Sequence, residues 1–90
     1  MPAAIHKIHY TSHYLKAYNR LSKRIQESQD EKEHIFIDSP FHSSLKTHKL
    51  KGKYKQFYAY SVAYQWRVLF RFVRENEVIF YDIGAHSIYQ

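Results

Sequence analysis

The sequence predicts an α+β fold: a strand, two helices, then three antiparallel strands, with both helices packed on one face of a small twisted sheet. Three observations carry this expectation. Apolar residues recur at three- and four-residue spacing between Tyr14 and Ile25, which is the period of a helix with one buried stripe. They alternate from Gln65 to Val73, which is the period of a strand. The helical patterns form one block and the later strand patterns another, an order that places helices together against an antiparallel sheet.

The elements follow in order. Residues 4–10, AIHKIHY, alternate and are rich in β-formers, with Ile8 and Tyr10 on one face and Ile5 on the other. Thr11 or Ser12 then caps a helix whose stripe is Tyr14, Leu15, Tyr18, Leu21 and Ile25. Ser28 and Glu31 have the spacing of a capping box, so a second helix is expected to start there. Its acidic first turn suits the helix dipole, Ile35 and Phe36 anchor it, and Asp38-Ser39-Pro40 ends it, because proline disfavours a helical residue before it. FHSSLKTHKLKGKYKQ reads as a loop with a turn at Lys51-Gly52-Lys53. A strand over 56–63 places Tyr58, Tyr60 and Val62 on one face and Phe57 and Ala59 on the other. The next, 65–73, sets Trp66, Val68, Phe70 and Phe72 against Arg67, Leu69, Arg71 and Val73. Arg74-Glu75-Asn76-Glu77 is a turn, and VIFYDI is the last strand.

Ninety residues make a single domain, 1–90. A chain of this size buries only roughly 60–65% of its unfolded surface, and 44% hydrophobic with 18% aromatic content suits folding rather than disorder. The absence of cysteine excludes disulfides and thiolate metal sites and suits a reducing cytoplasm. MPAAIHKIHY has no secretory pattern, and no run approaches the ~18–20 apolar residues of a membrane span. No membrane partner is expected.

The net charge of +6 is unevenly spread. Residues 25–40 are acidic, whereas residues 41–74 hold five lysines and three arginines and no acid. Such a block sets up a directed positive field and favours a polyanionic partner over a merely soluble surface. Seven histidines invite a metal reading. His6, His9 and His13 would align only on a helix, yet they straddle a strand and a helix start, and no HExxH motif or orienting acid accompanies them in sequence. His48 sits inside the basic block, and His86 follows the glycine after the last strand. Two imidazoles and a guanidinium are what phosphodiester cleavage calls for: one accepts a proton, one donates it, and the cation stabilises the charged phosphorane. Spacing alone leaves a structural histidine open as the alternative.

The segments SLKTHKLKG, then YQWRVLFRF, then VIFYDIGAHSIY, taken in this order, resemble the RelE/ParE superfamily of type II toxins, and within it the RelE/StbE and YafQ branches. The resemblance covers nearly the whole chain. It implies a toxin that enters the ribosomal A site and cuts mRNA there, using the substrate's 2′-hydroxyl as nucleophile and needing no metal or cofactor. It implies a cognate antitoxin protein that wraps the toxin in a hetero-oligomer. Carried over by residue, His48 and His86 match catalytic histidines, Arg67 matches a phosphate-stabilising arginine, and Tyr89 matches a C-terminal aromatic that positions a base. The sequence departs from these branches at Tyr58 and Tyr60, which stand where RelE has lysines, and at Ser61 and Gln65, which stand where YafQ has a histidine and an aspartate.

The expected site is therefore His48, His86, Arg67 and Tyr89, with Lys46, Lys49, Lys51, Lys53 and Lys55 on the RNA backbone. Tyr60 and Trp66 are candidates for base stacking. For both of these, core packing is the alternative, since Trp66 shares a face with Val68, Phe70 and Phe72. Arg71 and Arg74 are expected to face solvent or the antitoxin. Two further readings remain: a ParE-like inhibitor of DNA gyrase, and a catalytically weak relative that mainly binds its antitoxin. Gly84 is expected to break the last strand and present His86 beside Arg67.

Overall fold

The structure, a computed structural model, describes residues 4–85. Strand β1 (Lys7–Tyr10) leads into helix α1 (Ser12–Asn19) and helix α2 (Lys23–Asp38). Strands β2 (His48–Lys49), β3 (Tyr58–Ala63), β4 (Trp66–Arg74) and β5 (Glu77–Ala85) follow. They form one sheet in the order β1-β5-β4-β3-β2. The last four pair antiparallel in succession, while β1 runs parallel to β5.

The expected α+β architecture is present, with three local differences. The stripe from Tyr14 to Ile25 is shared by two helices rather than one. Ser22 takes an extended conformation and its Oγ accepts from the Ile25 amide at 3.3 Å, capping α2. The second helix therefore starts five residues before the Ser28–Glu31 pair, which lies inside it. Its end at Asp38, before the extended Ser39 and Pro40, is as expected. The loop after α2 contains the short strand β2. Finally, β5 runs past Ile83: Arg67 pairs with Gly84 and Trp66 with Ala85, so Gly84 belongs to the ladder and does not break it.

Both helices pack on one face. Tyr14 of α1 and Phe36 of α2 meet Tyr60, Phe70 and Phe80 of the sheet, with ring centroids 4.9–5.5 Å apart for Tyr14–Phe80, Phe36–Tyr60, Phe36–Phe70 and Phe36–Phe80. Phe36, Tyr60, Phe70 and Phe80 are fully buried. Each such ring contributes about 1.5–3 kcal/mol through burial, and their offset and edge-on contacts add to it.

A bulge sets which side chains reach the opposite, helix-free face. Leu69 pairs with Asp82 but Phe70 pairs with Phe80, leaving Tyr81 as the extra residue. One inserted residue flips every following side chain to the other face. Without it, Asp82 would point into the core. With it, Ile83 is buried and Asp82 and Gly84 fall in register with Leu69 and Arg67 on the outer face. Thr11 pins the bulge: its Oγ1 donates to the Tyr81 carbonyl at 3.0 Å while accepting from the Tyr14 amide at 3.0 Å.

Among the described residues, no helix is long and apolar enough to cross a membrane.

Candidate functional site

The helix-free face brings together several of the residues expected at the site. Register across the sheet gives a row His48–Ala59–Leu69–Asp82 and a neighbouring row Ser61–Arg67–Gly84. Directly opposed residues share a face, so His48 and Arg67 lie on the same side of the sheet. They are two strands apart and one row apart, which places their Cα atoms about 12 Å from each other at ordinary strand spacing. Between them lie Ala59, which is fully buried, and Ser61, which is partly exposed.

His48 is held by local structure. A short 3₁₀ turn, Ser43–Leu45, buries Leu45 completely, and His42 caps it by accepting from the Ser44 amide at 3.1 Å. Lys46 then adopts a left-handed conformation (φ 52°, ψ 38°), costly for a residue with a Cβ. Thr47 ties the turn down by donating to the Pro40 carbonyl at 2.6 Å. The Lys46 carbonyl lies 3.1 Å from His48 Nδ1. A carbonyl only accepts, so Nδ1 carries the proton and Nε2 is the nitrogen with a free lone pair. The histidine is exposed, and this contact favours the tautomer protonated at Nδ1.

Arg67 is held at the β3–β4 turn. Its Nη1 donates to the Tyr64 carbonyl at 2.8 Å and to the Trp66 carbonyl at 3.1 Å. Two neutral acceptors orient the guanidinium without cancelling its charge, leaving other N–H groups for an anion. Tyr64 itself has a positive φ of 51° and is 79% exposed. An aromatic ring displayed at a strained turn beside the arginine was not anticipated. Its signal in the sequence is a tyrosine at a two-residue turn where glycine or asparagine is the rule.

The lysines Lys46, Lys49, Lys51, Lys53 and Lys55 are all exposed along the outer edge formed by β2 and the turns around it. Gly52, with φ +66°, makes the turn between them possible. Lys53 Nζ lies 5.3 Å from the Tyr54 ring centroid. Among the described residues none of these lysines is in an ion pair, so this edge keeps its full positive charge.

Tyr60 and Trp66 lie on the core-facing side of their strands. Tyr60 is fully buried, its hydroxyl donating to Gln29 Oε1 at 2.8 Å, and burial pushes its phenol far above the ordinary range. Trp66 packs half-buried against the core. Both therefore follow the core-packing alternative, because their strand positions face the helices. His86 and Tyr89 lie outside the described residues. The register nevertheless brings the chain to Gly84, opposite Arg67, and to Ala85, opposite Trp66.

Two other histidines pair with carboxylates. His9 Nε2 bonds Glu77 Oε2, and His13 Nε2 lies 3.2 Å from Asp82 Oδ1. These acids are remote in sequence and come close only through the β1–β5 pairing and the bulge. Among the described residues, no three of His, Asp and Glu converge as a metal site requires.

No protein-family model matches the chain, and no curated protein matches it in sequence. Its three-dimensional form does recur. A YoeB/ParE toxin from Agrobacterium tumefaciens superposes with a TM-score of 0.76 at 18% identity, over 90% of this chain and 99% of that one. The E. coli DinJ-YafQ toxin-antitoxin complex matches with a TM-score of 0.72 at 19% identity, over 97% and 96% of the two chains. The archaeal RelE-RelB complex from Pyrococcus horikoshii OT3 matches with a TM-score of 0.69 at 18% identity, over 98% and 99%. The chain thus has the RelE-like fold shared by the YoeB/ParE, YafQ and RelE toxins.

Proposed function

We propose that this protein is the toxin of a type II toxin–antitoxin pair and cuts mRNA in the A site of the 70S ribosome. The observation that carries the reading is the shared face of His48 and Arg67: an exposed imidazole and an oriented guanidinium lie on one side of the sheet, beside a lysine edge with no ion pair among the described residues. Its fold is that of proteins solved as toxins with antitoxin partners. In the reaction, the RNA 2′-hydroxyl loses its proton and its oxygen bonds the adjacent phosphorus. The bond to the 5′-oxygen breaks, and that oxygen takes up a proton. The products are a 2′,3′-cyclic phosphate and a 5′-hydroxyl. His48 and His86 handle the two protons, Arg67 stabilises the charge on the phosphorane, and Tyr89 stacks on a base. Lys46, Lys49, Lys51, Lys53 and Lys55 hold the RNA backbone. A cognate antitoxin protein covers this face in a hetero-oligomer, in the cytoplasm.

The test uses programmed ribosomes and primer extension across the A-site codon. Wild type is expected to cut there, and His48→Gln to cut roughly 10²–10⁴-fold more slowly. Intact mRNA together with inhibited gyrase supercoiling would assign the ParE-like activity instead. Equal cutting by His48→Gln would remove that histidine from the site.

A further inference from the structure

The helix-free face also carries an aromatic cleft to which the proposed reaction gives no role. Its volume is about 440 Å³, within the usual ~300–1,000 Å³ of small-ligand sites. Leu69, nearly buried, lines it together with Tyr54, Phe57 and Tyr81. The Phe57 and Tyr81 rings meet edge-on with centroids 4.9 Å apart. All three aromatic rings are partly exposed, and none belongs to the core between helices and sheet. His13 and Asp82 complete the lining with polar groups. His13 Nε2 lies 3.2 Å from Asp82 Oδ1, and the Ile83 amide donates to the same oxygen at 2.8 Å. Among the described residues Asp82 Oδ2 has no partner, and the side chain is 22% exposed, so a ligand can reach it.

We propose that this cleft receives one unstacked base of the RNA, and that Asp82 Oδ2 selects a base with an exocyclic amino group over uracil. Aromatic rings take any base by its π-face. A carboxylate oxygen only accepts, so it pairs with an amino group such as that of cytosine. Uracil has a carbonyl oxygen in that place, and two acceptors repel. The position fits a strand held at Arg67: Leu69 stands two residues from it on the same face of β4, about 7 Å along the strand. Tyr54 lies between Lys53 and Lys55, both exposed, so positive charge borders the cleft where the RNA backbone passes. The assignment of the base to RNA rests on the nuclease reading. The stacking and the amino-group selection do not.

The experiment titrates the purified protein with cytidine and uridine trinucleotides, 2′-O-methylated so that they cannot be cut, and follows the Phe57 and Tyr81 ring resonances by NMR. The cytidine trimer is expected to shift both rings saturably and to bind roughly 10-fold more tightly than the uridine trimer. Asp82→Asn keeps an oxygen for His13 and the Ile83 amide, so it is expected to fold normally and to lose that preference. Tyr54→Ala, outside the core, is expected to weaken both trimers roughly 10-fold. Rings unmoved by either trimer overturn the proposal, and equal affinity for the two removes the role of Asp82. Rings moved only by an apolar peptide would make the cleft a protein-docking site, and a cytidine mononucleotide binding as tightly as the trimer would make it a site for free nucleotides; either result overturns the RNA assignment. Base-selective binding without mRNA cleavage on the ribosome leaves the cleft standing and removes the nuclease reading. Cleavage with unmoved rings does the reverse.

Discussion

Gln29 joins helix to sheet at the centre of the protein, and Gln29→Leu is expected to destabilise it sharply. The side chain is fully buried in α2. Its Nε2 donates to the Tyr14 hydroxyl at 3.0 Å and to Glu33 Oε1 at 3.2 Å, and its Oε1 accepts from the Tyr60 hydroxyl at 2.8 Å. Leucine fills similar space but accepts nothing, so the buried Tyr60 hydroxyl is left unpaired, a penalty of about 1–3 kcal/mol. The lost donor to Tyr14 adds a smaller amount. A total of roughly 2–3 kcal/mol lowers Tm by on the order of 10–20 °C in a domain of this size. Urea unfolding followed by Trp66 fluorescence measures it. Tyr60→Phe removes the hydroxyl that leucine would strand, so the double variant is expected to be more stable than the sum of the single losses by at least about 1 kcal/mol. Additive losses, with coupling within about 0.5 kcal/mol, would refute the network as the link between α2 and β3.

Other predictions follow from single residues. Ser22→Ala removes an exposed N-cap and is expected to cost about 0.5–1 kcal/mol, read from the same denaturation curves. Tyr64→Gly relieves the positive φ at the β3–β4 turn and is expected to gain up to about 1 kcal/mol of stability while lowering cleavage, if the exposed ring stacks on RNA. The hydrogen bond from His9 holds the Glu77 carboxyl below its ordinary value near 4.5. A depressed carboxyl stabilises the fold above its unfolded pKa and stops doing so as pH falls through its folded pKa. The stability gap between wild type and Glu77→Gln should therefore close as pH falls below about 5, in denaturation curves measured from about pH 5.5 to about pH 3.

The parts of the fold legible in the sequence were those with a long period and no competing local structure. The alternation through β4 named each facing correctly, and Asp38-Ser39-Pro40 marked the end of α2. The break between the helices was hidden because Leu21, in the connector, still packs on the core and so continues the stripe across it. Strand β2 has two residues and no pattern of its own; its pairing with β3 creates it. The bulge at Tyr81 was invisible for a related reason: alternation in VIFYDI does not say where one residue is skipped, yet that skip decides that Asp82 faces outward. At the candidate site, the basic block drew attention to His48 and the lysines, and the family resemblance to Arg67. The features that give them chemistry were not readable, since the partner of His48 is the backbone carbonyl of a left-handed lysine and that of Arg67 is a turn.

The parallel pairing of β1 with β5 also governs how the molecule comes into being. The contacts between these strands join residues such as Lys7 and Glu77, 70 positions apart along the chain. Closing so long a loop costs entropy before any contact repays it, and topologies of this kind fold slowly. Strand β5 sits between β1 and β4, so during synthesis β1 is left as a strand without a neighbour until the later part of the chain has emerged. The surface bearing Arg67 is completed at the same late step, because Gly84 of β5 is its cross-strand partner. A chain lacking β5 would lose two ladders at once, and the face bearing Arg67 would be among the last parts of the protein to form.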